Sequence, residues 1–513
     1  MKKFALSLFA IAISTCMMAQ SVILSEPYSN IWIRRVGIQN IPLGQDDSNL
    51  YYFVQNRQSD PVKPKSYIDH LYIVDKNEMQ KSDIEVSVTN NKYLLVDALH
   101  NDNSIVALYR GTNNKGDQIY FSIANIDKTE KTYKFDGGNN SVSTTANSHY
   151  WPEYKTAKSP DGNMLAVLTM VTGKNSKLEN LFAVVMNNQG EFVWSGTVVP
   201  DFHGRTFSLG NLLVDNEGTI FIPAYTCQVS GNSVSNVEFM MIQANDGDTK
   251  AFTSDCSFGA LQNMTSKILS DKNIAVAGYY TNTFQNTAAE SSGFFFYTFD
   301  TGSESITDVH NFDFSGDYVE KKAWARFASV LGNQQYSISA DNIFELENGS
   351  LVLCGEHRFV KQIYDPNMNS YTYQMLTKNI LVSTLQSNGN ANFTMIEKQQ
   401  SAALAWLPQD WKLANISYSA FAHHNNVYFL YTENPKNIPY PGKDEICNIY
   451  GLNFKKKWES VLMKLTPDQE ISQRVLYDPN QLLRSVEFSD DEYFYASGTG
   501  KKEIFLTKYK IEE

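Results

Sequence analysis

The densest set of chemically capable side chains is Pro200-Asp201-Phe202-His203-Gly204-Arg205, where a carboxylate, an imidazole and a guanidinium fall within five positions. Such a trio could supply a general base, its orienting acid and a cation for developing negative charge, if the chain brought the three together. Neighbours in sequence need not converge in space, so no catalytic residue is assigned. The sequence contains no GxSxG elbow, HExxH helix, P-loop or strand-borne GxGxxG. The eight histidines are scattered, and the adjacent pair His423-His424 precedes Asn425-Asn426 in an expected turn. Adjacent side chains on a strand diverge, which argues against a shared metal. Asn245-Asp246-Gly247-Asp248 offers oxygen ligands without the spacing of a calcium loop and reads as an Asx-type turn. No metal and no cofactor is expected.

A second class of residue points to recognition rather than reaction. Large aromatic and cationic side chains collect in the longer connections: Trp151, Phe202, His203, Arg205, Trp324, Arg358, Tyr364, Tyr371, Tyr373, Trp406, Trp411 and Tyr440. Rigid aromatics on loops are efficient anchors for a partner, although each ring has the alternative of packing its own loop onto the scaffold. Residues 357–378 and 433–460 are therefore expected to form part of a recognition surface.

The elements that must position these residues follow from a repeated grammar. The clearest copy runs from the turn Ser159-Pro160-Asp161-Gly162 through an apolar run to Met170. A second run follows from Leu181 to Met186, then the turn Asn187-Asn188-Gln189-Gly190 and a run ending at Trp194. Proline presets the first turn, aspartate caps it and glycine takes positive φ. Equivalent first turns at Asp102, Asp215, Asp271, Asn348, Asn425 and Asp490 join Asp161, at spacings of 59, 54, 56, 77, 77 and 65 residues, and a weaker copy surrounds Leu71. The expected fold is all-β: a single β-propeller of seven or eight four-stranded antiparallel blades over residues 20–513. The alternative is a pair of β-sandwiches. Small residues in the post-turn runs, such as Ala166, Gly278 and Gly355, are expected to crowd toward the axis. The last copy is one strand short, so a strand near Ser21–Leu24 or Ile31–Arg34 is expected to close the ring and remove an open sheet edge. Strand parity then sets both kinds of tight turn on one face and every variable connection on the other.

The Ser159-Pro160-Asp161-Gly162 element resembles the repeat of WD40-like (TolB-type) propellers. Together with Phe207-SLGNLLVDNEG, Ile274-AVAGYY, Leu351-VLCGEHRFV and Tyr431-TENPKN it resembles a group of exported, uncharacterised propeller-like proteins of Bacteroidota. That resemblance implies export and a propeller, and no activity. His357 and Arg358 depart from the group's pattern, which more often has an amide and an aromatic residue there.

Residues 1–19 read as an export signal: Lys2-Lys3, an apolar run from Phe4 to Ile13, and small-ended cleavage near Ala19-Gln20. Cys16 offers lipidation as an alternative. Without those residues the formal charge is −14, which disfavours nucleic acid and anionic membrane as partners. No segment is long and apolar enough for a membrane-spanning helix. Cys227, Cys256, Cys354 and Cys447 are too widely spaced for a disulfide framework, although Cys227 and Cys256 could pair. The leading expectation is a non-enzymatic binding or scaffolding module for a protein or glycan at the cell envelope. The alternative is a carbohydrate- or peptide-directed hydrolase or lyase with its site in the central depression of the long-loop face. Oligomeric state is not legible.

Overall fold

The computed structural model describes residues 20–23, 38–57, 67–86, 94–101, 104–113, 116–125, 130–135, 154–172, 178–200, 206–230, 233–281, 291–314, 334–365, 370–404, 417–438, 449–450, 458–476, 482–499 and 504–511. The proposed leader, Cys16 and Cys447 lie outside them.

These residues form eight sheets. Blade 1 spans 38–86, blade 2 94–135, blade 3 154–198, blade 4 206–255, blade 5 260–313, blade 6 334–404, blade 7 418–476 and blade 8 482–510. Within a blade the strands pair antiparallel in chain order, as in blade 3: Tyr154–Lys158, Met164–Thr172, Leu178–Asn187, Phe192–Val198. Blade 8 takes its fourth strand from the other end of the chain, where Gln20–Ile23 pairs with Ile504–Lys510 in the register Gln20↔Lys508 to Ile23↔Phe505.

Period-2 alternation turns each blade into a two-faced wedge. In Met164–Thr172, Ala166 and Leu168 pack with Ile220 and Ile222 of blade 4, while Leu165 and Val167 pack with Val106 and Leu108 of blade 2. The same arrangement continues around the molecule. Eight apolar clusters join successive blades, and the last sets Tyr495 and Leu506 of blade 8 against Tyr52 and Leu50 of blade 1. The ring is thus closed by packing at every junction, with eight blades. A second strand faces a neighbour on both sides, which is why Ile274–Thr281 is buried at every position.

The strand nearest the axis is the one before each first turn. Innermost strands of adjacent blades bond directly: Ser266 Oγ donates to Asn211 Oδ1 at 2.7 Å, and Lys158 pairs with Asp97 at 3.1 Å. Outermost strands, such as Asp248–Asp255, are half exposed. The small residues of the post-turn runs therefore lie on the second strand and do not line the axis. They make room for neighbours instead: a Cβ at Gly355 would collide with the Ser339 carbonyl and the Tyr279 hydroxyl of blade 5.

Both kinds of tight turn gather on one face and are laced together. In blade 3 the Asn188 side chain donates to Asn163 Oδ1 at 2.6 Å, linking second turn to first. The Asp161 N–H donates to Asn216 Oδ1 of blade 4 at 3.2 Å, and the Asn348 N–H to Asn425 Oδ1 of blade 7 at 2.9 Å. In the Ser-Pro-Asp-Gly turn, Ser159 Oγ donates to Asp161 and Gly162 takes φ +72°. Burial would raise the Asp161 carboxyl, but bonds from Ser159 and Asn163 hold it below its ordinary value.

Candidate functional site

Among the described residues, the longest strands reaching the face opposite the tight turns belong to blade 6. Its second and third strands, Leu351–Asp365 and Ser370–Leu385, run on as a long hairpin through Arg358↔Thr377 and Gln362↔Tyr373 to Asp365↔Ser370. The outer strand is broken in two: Ala391–Ile396 pairs with the lower half of the third strand and Gln400–Leu404 with its upper half, Thr377 to Tyr373. The excursion from blade 7 then returns to the same sheet, where Ile449–Tyr450 pairs parallel with Gln400 and Ser401. Residues 357–365, 370–378 and 449–450 therefore belong to one extended sheet.

A buried ionic network lies at the root of this extension. The break in the outer strand turns Lys398 inward, where its fully buried ammonium pairs with the fully buried Glu356 and donates to Thr377 Oγ1 at 3.0 Å and Gln400 Oε1 at 3.1 Å. Burial pulls this ammonium below its ordinary value, and Glu356 and Glu433 act against that pull. The second Glu356 oxygen accepts from Ser417 Oγ at 2.8 Å and from Arg358 Nε at 3.2 Å. Arg358 also pairs with Asp341 at 3.0 Å, a residue that a bulge between Ala340 and Asn342 turns out of the innermost strand. Burial raises the Asp341 carboxyl and Arg358 opposes the rise. Gln400 extends the network to blade 7, donating to the Thr432 carbonyl at 2.6 Å and accepting from the Ser417 N–H at 2.8 Å. Glu433, raised by burial, accepts from Asn437 Nδ2 at 2.7 Å and fixes the turn of 3₁₀ helix at Pro435–Asn437. Each charge is matched by an opposite charge or by hydrogen bonds, as burial demands. Chemically the network is a clamp: it holds the extended hairpin, the broken outer strand and the entry to blade 7 in one arrangement.

A further buried acid, apart from this network, lies toward the same face at the junction of blades 1 and 2. Asp69 is 4% exposed and accepts from the Tyr109 hydroxyl at 2.8 Å. Burial outweighs the hydrogen bonds of Tyr109 and Gln55 and lifts its carboxyl to about 6.

Of the residues singled out from sequence, Trp151, Phe202, His203, Arg205, Trp324, Trp406, Trp411 and Tyr440 lie outside the described residues. Tyr364 is 48% exposed near the tip of the hairpin, and its backbone is in register with Tyr371. Tyr373 lies in register with Gln362 on the same hairpin. Arg358 is not a surface contact: its side chain is 18% exposed and engaged by two carboxylates. The sequence reading missed Glu356, Lys398 and Asp341, which share no local motif; the signal available was a lone glutamate and a lone lysine beside apolar strand residues.

His423 and His424 do not diverge. His423 ends its strand opposite Asn426 and His424 is the first residue of the two-residue turn, with φ +51°; their rings lie 4.1 Å apart and His424 pairs with Glu347 at 2.7 Å. Among the described residues no group of three or more metal-ligating side chains occurs. Asn245 to Asp248 forms a tight hairpin with positive φ at Asp246 and Gly247, the geometry of a type I′ turn. Cys227, Cys256 and Cys354 are buried free thiols, and burial pushes the Cys256 thiol up to about 11. No helix among the described residues is long and apolar enough to cross a membrane.

No family model matches the chain, and no curated protein matches it. Solved structures to which the chain is similar include the following three. The polysaccharide lyase Uly1 is 11% identical with a TM-score of 0.37, covering 81% of this chain and 89% of its own. The β-propeller domain of the Trilobed protease from Pyrococcus furiosus is 9% identical with a TM-score of 0.31, covering 71% and 97%. The Penicillium chrysogenum α-L-arabinanase complexed with arabinobiose is 11% identical with a TM-score of 0.32, covering 66% and 93%.

Proposed function

We propose that this protein is an exported, non-enzymatic binding or scaffolding propeller that holds a protein or glycan partner at the cell envelope on its long-loop face. The observation that carries the reading is the blade 6 extension, a hairpin continued well past the rest of its blade and joined by two further strands from separate parts of the chain. A propeller gains nothing in its own ring packing from such an extension, whereas a rigid platform lowers the entropic cost of binding. The ionic clamp beneath it consumes its charges internally and so serves to hold that platform. Export rests on the reading of residues 1–19 and on the resemblance to WD40-like exported proteins of Bacteroidota.

The test is an affinity capture from the native envelope fraction with the mature protein and with a Tyr364→Ala/Tyr371→Ala/Tyr373→Ala variant of unchanged thermal stability. A specific partner retained by the parent and lost by the variant is the expected result. Equal retention by both proteins overturns the placement of the site on the hairpin. Turnover of a polysaccharide or peptide by the purified parent overturns the non-enzymatic reading in favour of a hydrolase or lyase.

A further inference from the structure

On the opposite face, between blades 6 and 7, a cavity of about 180 Å³ opens among the tight turns. Its floor is the end of the inter-blade core, with Leu346, Val352, Val427 and Leu465 each at most 5% exposed. Its walls are amides and hydroxyls, among them Ser350, Thr384, Gln386, Asn388, Asn425 and Gln469, and none of the lining side chains is ionisable. Ser350 and Thr384 are 5% and 8% exposed, and among the described residues neither hydroxyl has a protein partner. Both hydroxyls open onto the cavity and are free to bond what enters it.

Between blades 3 and 4 the comparable place is filled by an indole. At the junction of blades 3 and 4, Val185 is paired with Trp194, whose indole is 5% exposed and donates to the Gly218 carbonyl of the next first turn at 2.7 Å. Counted from the second turn, Thr384 occupies in blade 6 the position of Val185 in blade 3, since Gln386 and Asn187 make the same turn bonds to Asn390 and Glu191. The partner of Thr384 is Asn392, so an amide takes the place of the indole. The first turn of blade 7 is also shorter, with 424–425 between His423 and Asn426 where blade 4 has 215–219 between Val214 and Ile220. An apolar seal has thus become a polar recess. Two cross-blade bonds fix its width: Asn348 N–H to Asn425 Oδ1 at 2.9 Å, and Thr394 to Gln469.

We propose that this cavity binds a single uncharged pyranose. An apolar floor beneath a rim of neutral donors and acceptors matches a ring with C–H groups on its face and hydroxyls around its edge. A charged ligand would enter a recess whose lining carries no counter-charge. The site lies on the face away from the blade 6 hairpin and is independent of the function proposed above.

Saturation-transfer NMR and calorimetry on the mature protein, with D-glucose, D-galactose, D-mannose and their methyl glycosides as probes and D-glucuronate as the charged control, provide the test. Saturable millimolar binding of at least one neutral sugar is expected, weakened about tenfold by Ser350→Ala or Thr384→Val, each of which removes one hydroxyl and little volume. Asn392→Trp, which places an indole there, should abolish binding and leave the protein folded. Binding of the methyl glycoside as tightly as the free sugar identifies the end of a glycan as the ligand, and loss on methylation identifies the free sugar; both support the site. Absence of saturable binding, binding unchanged in all three variants, or glucuronate bound as tightly as the neutral sugars overturns it.

Discussion

At the scale of single residues, the buried acids divide into those that stabilise the fold and those that strain it. Asp69 belongs to the second kind. Its carboxyl sits at about 6 in the folded chain against an ordinary 3.8, so between those values the native state binds more protons than the unfolded state. Stability must therefore fall as pH rises through that window, by an amount of order 2–3 kcal/mol. Asp69→Asn keeps an acceptor for the Tyr109 hydroxyl and removes the charge. We expect it to unfold at a higher temperature than the parent at pH 7.5, with the advantage vanishing near pH 4; a constant difference across this range would refute the assignment. Glu356 is the opposite case, because its charge is answered from two sides by Lys398 and Arg358. Glu356→Gln leaves a buried ammonium without its counter-ion and should cost about 3–5 kcal/mol in urea unfolding. Combining it with Lys398→Met should recover part of that loss, and strictly additive costs would show that the two side chains do not act as a pair.

At the scale of elements, the second strands of the blades were legible in the sequence and the innermost strands were not. A strand such as Ile274–Thr281 is apolar throughout because both its faces meet another blade. Tyr154–Lys158 borders the axis, is intermediate in burial at every position and carries no alternation to read. Several innermost strands are also bulged, at Leu95/Asp97, Leu261/Asn263 and Ala340/Asn342, which shifts the period that would have marked them. Hence the repeat visible in sequence had three strands while the blade has four, and the weak copy at Leu71 proved to be the third strand of blade 1, whose first turn is at Asp46 to Ser48. The first turns at Asp161, Asp215, Asp271, Asn348, Asn425 and Asp490 were read correctly because their chemistry is local, and that at Asp102 lies outside the described residues. The ionic clamp was invisible for the converse reason: Glu356 and Lys398 are separated by most of two strands, and only the break in the outer strand brings them together. Trp194 shows what one element contributes to its neighbour. Trp194→Ala opens the seal between blades 3 and 4 and should cost about 3–5 kcal/mol, and Trp194→Phe noticeably less, measured by urea denaturation. Equal costs would mean that the bond to Gly218 outweighs the packing.

At the scale of the molecule, the eight apolar junctions make the ring one continuous body whose last sheet is completed by a short closing strand. Gln20–Ile23 supplies a four-residue ladder to Ile504–Lys510. A chain beginning at residue 24 should melt several degrees lower and self-associate with rising concentration, because an unpaired edge is a template for another strand. Thermal scans and light scattering at graded concentration check both, and a truncated chain as stable and monomeric as the parent would show that blade 8 stands without its fourth strand. Val22 meets Leu506 only after nearly everything between them has been made. During synthesis the earliest segment of the propeller must wait unpartnered for the latest, so an interrupted chain carries a visible mark of its incompleteness. A cell that degrades proteins by their open edges could thus tell a finished copy from a fragment without inspecting any other part of it.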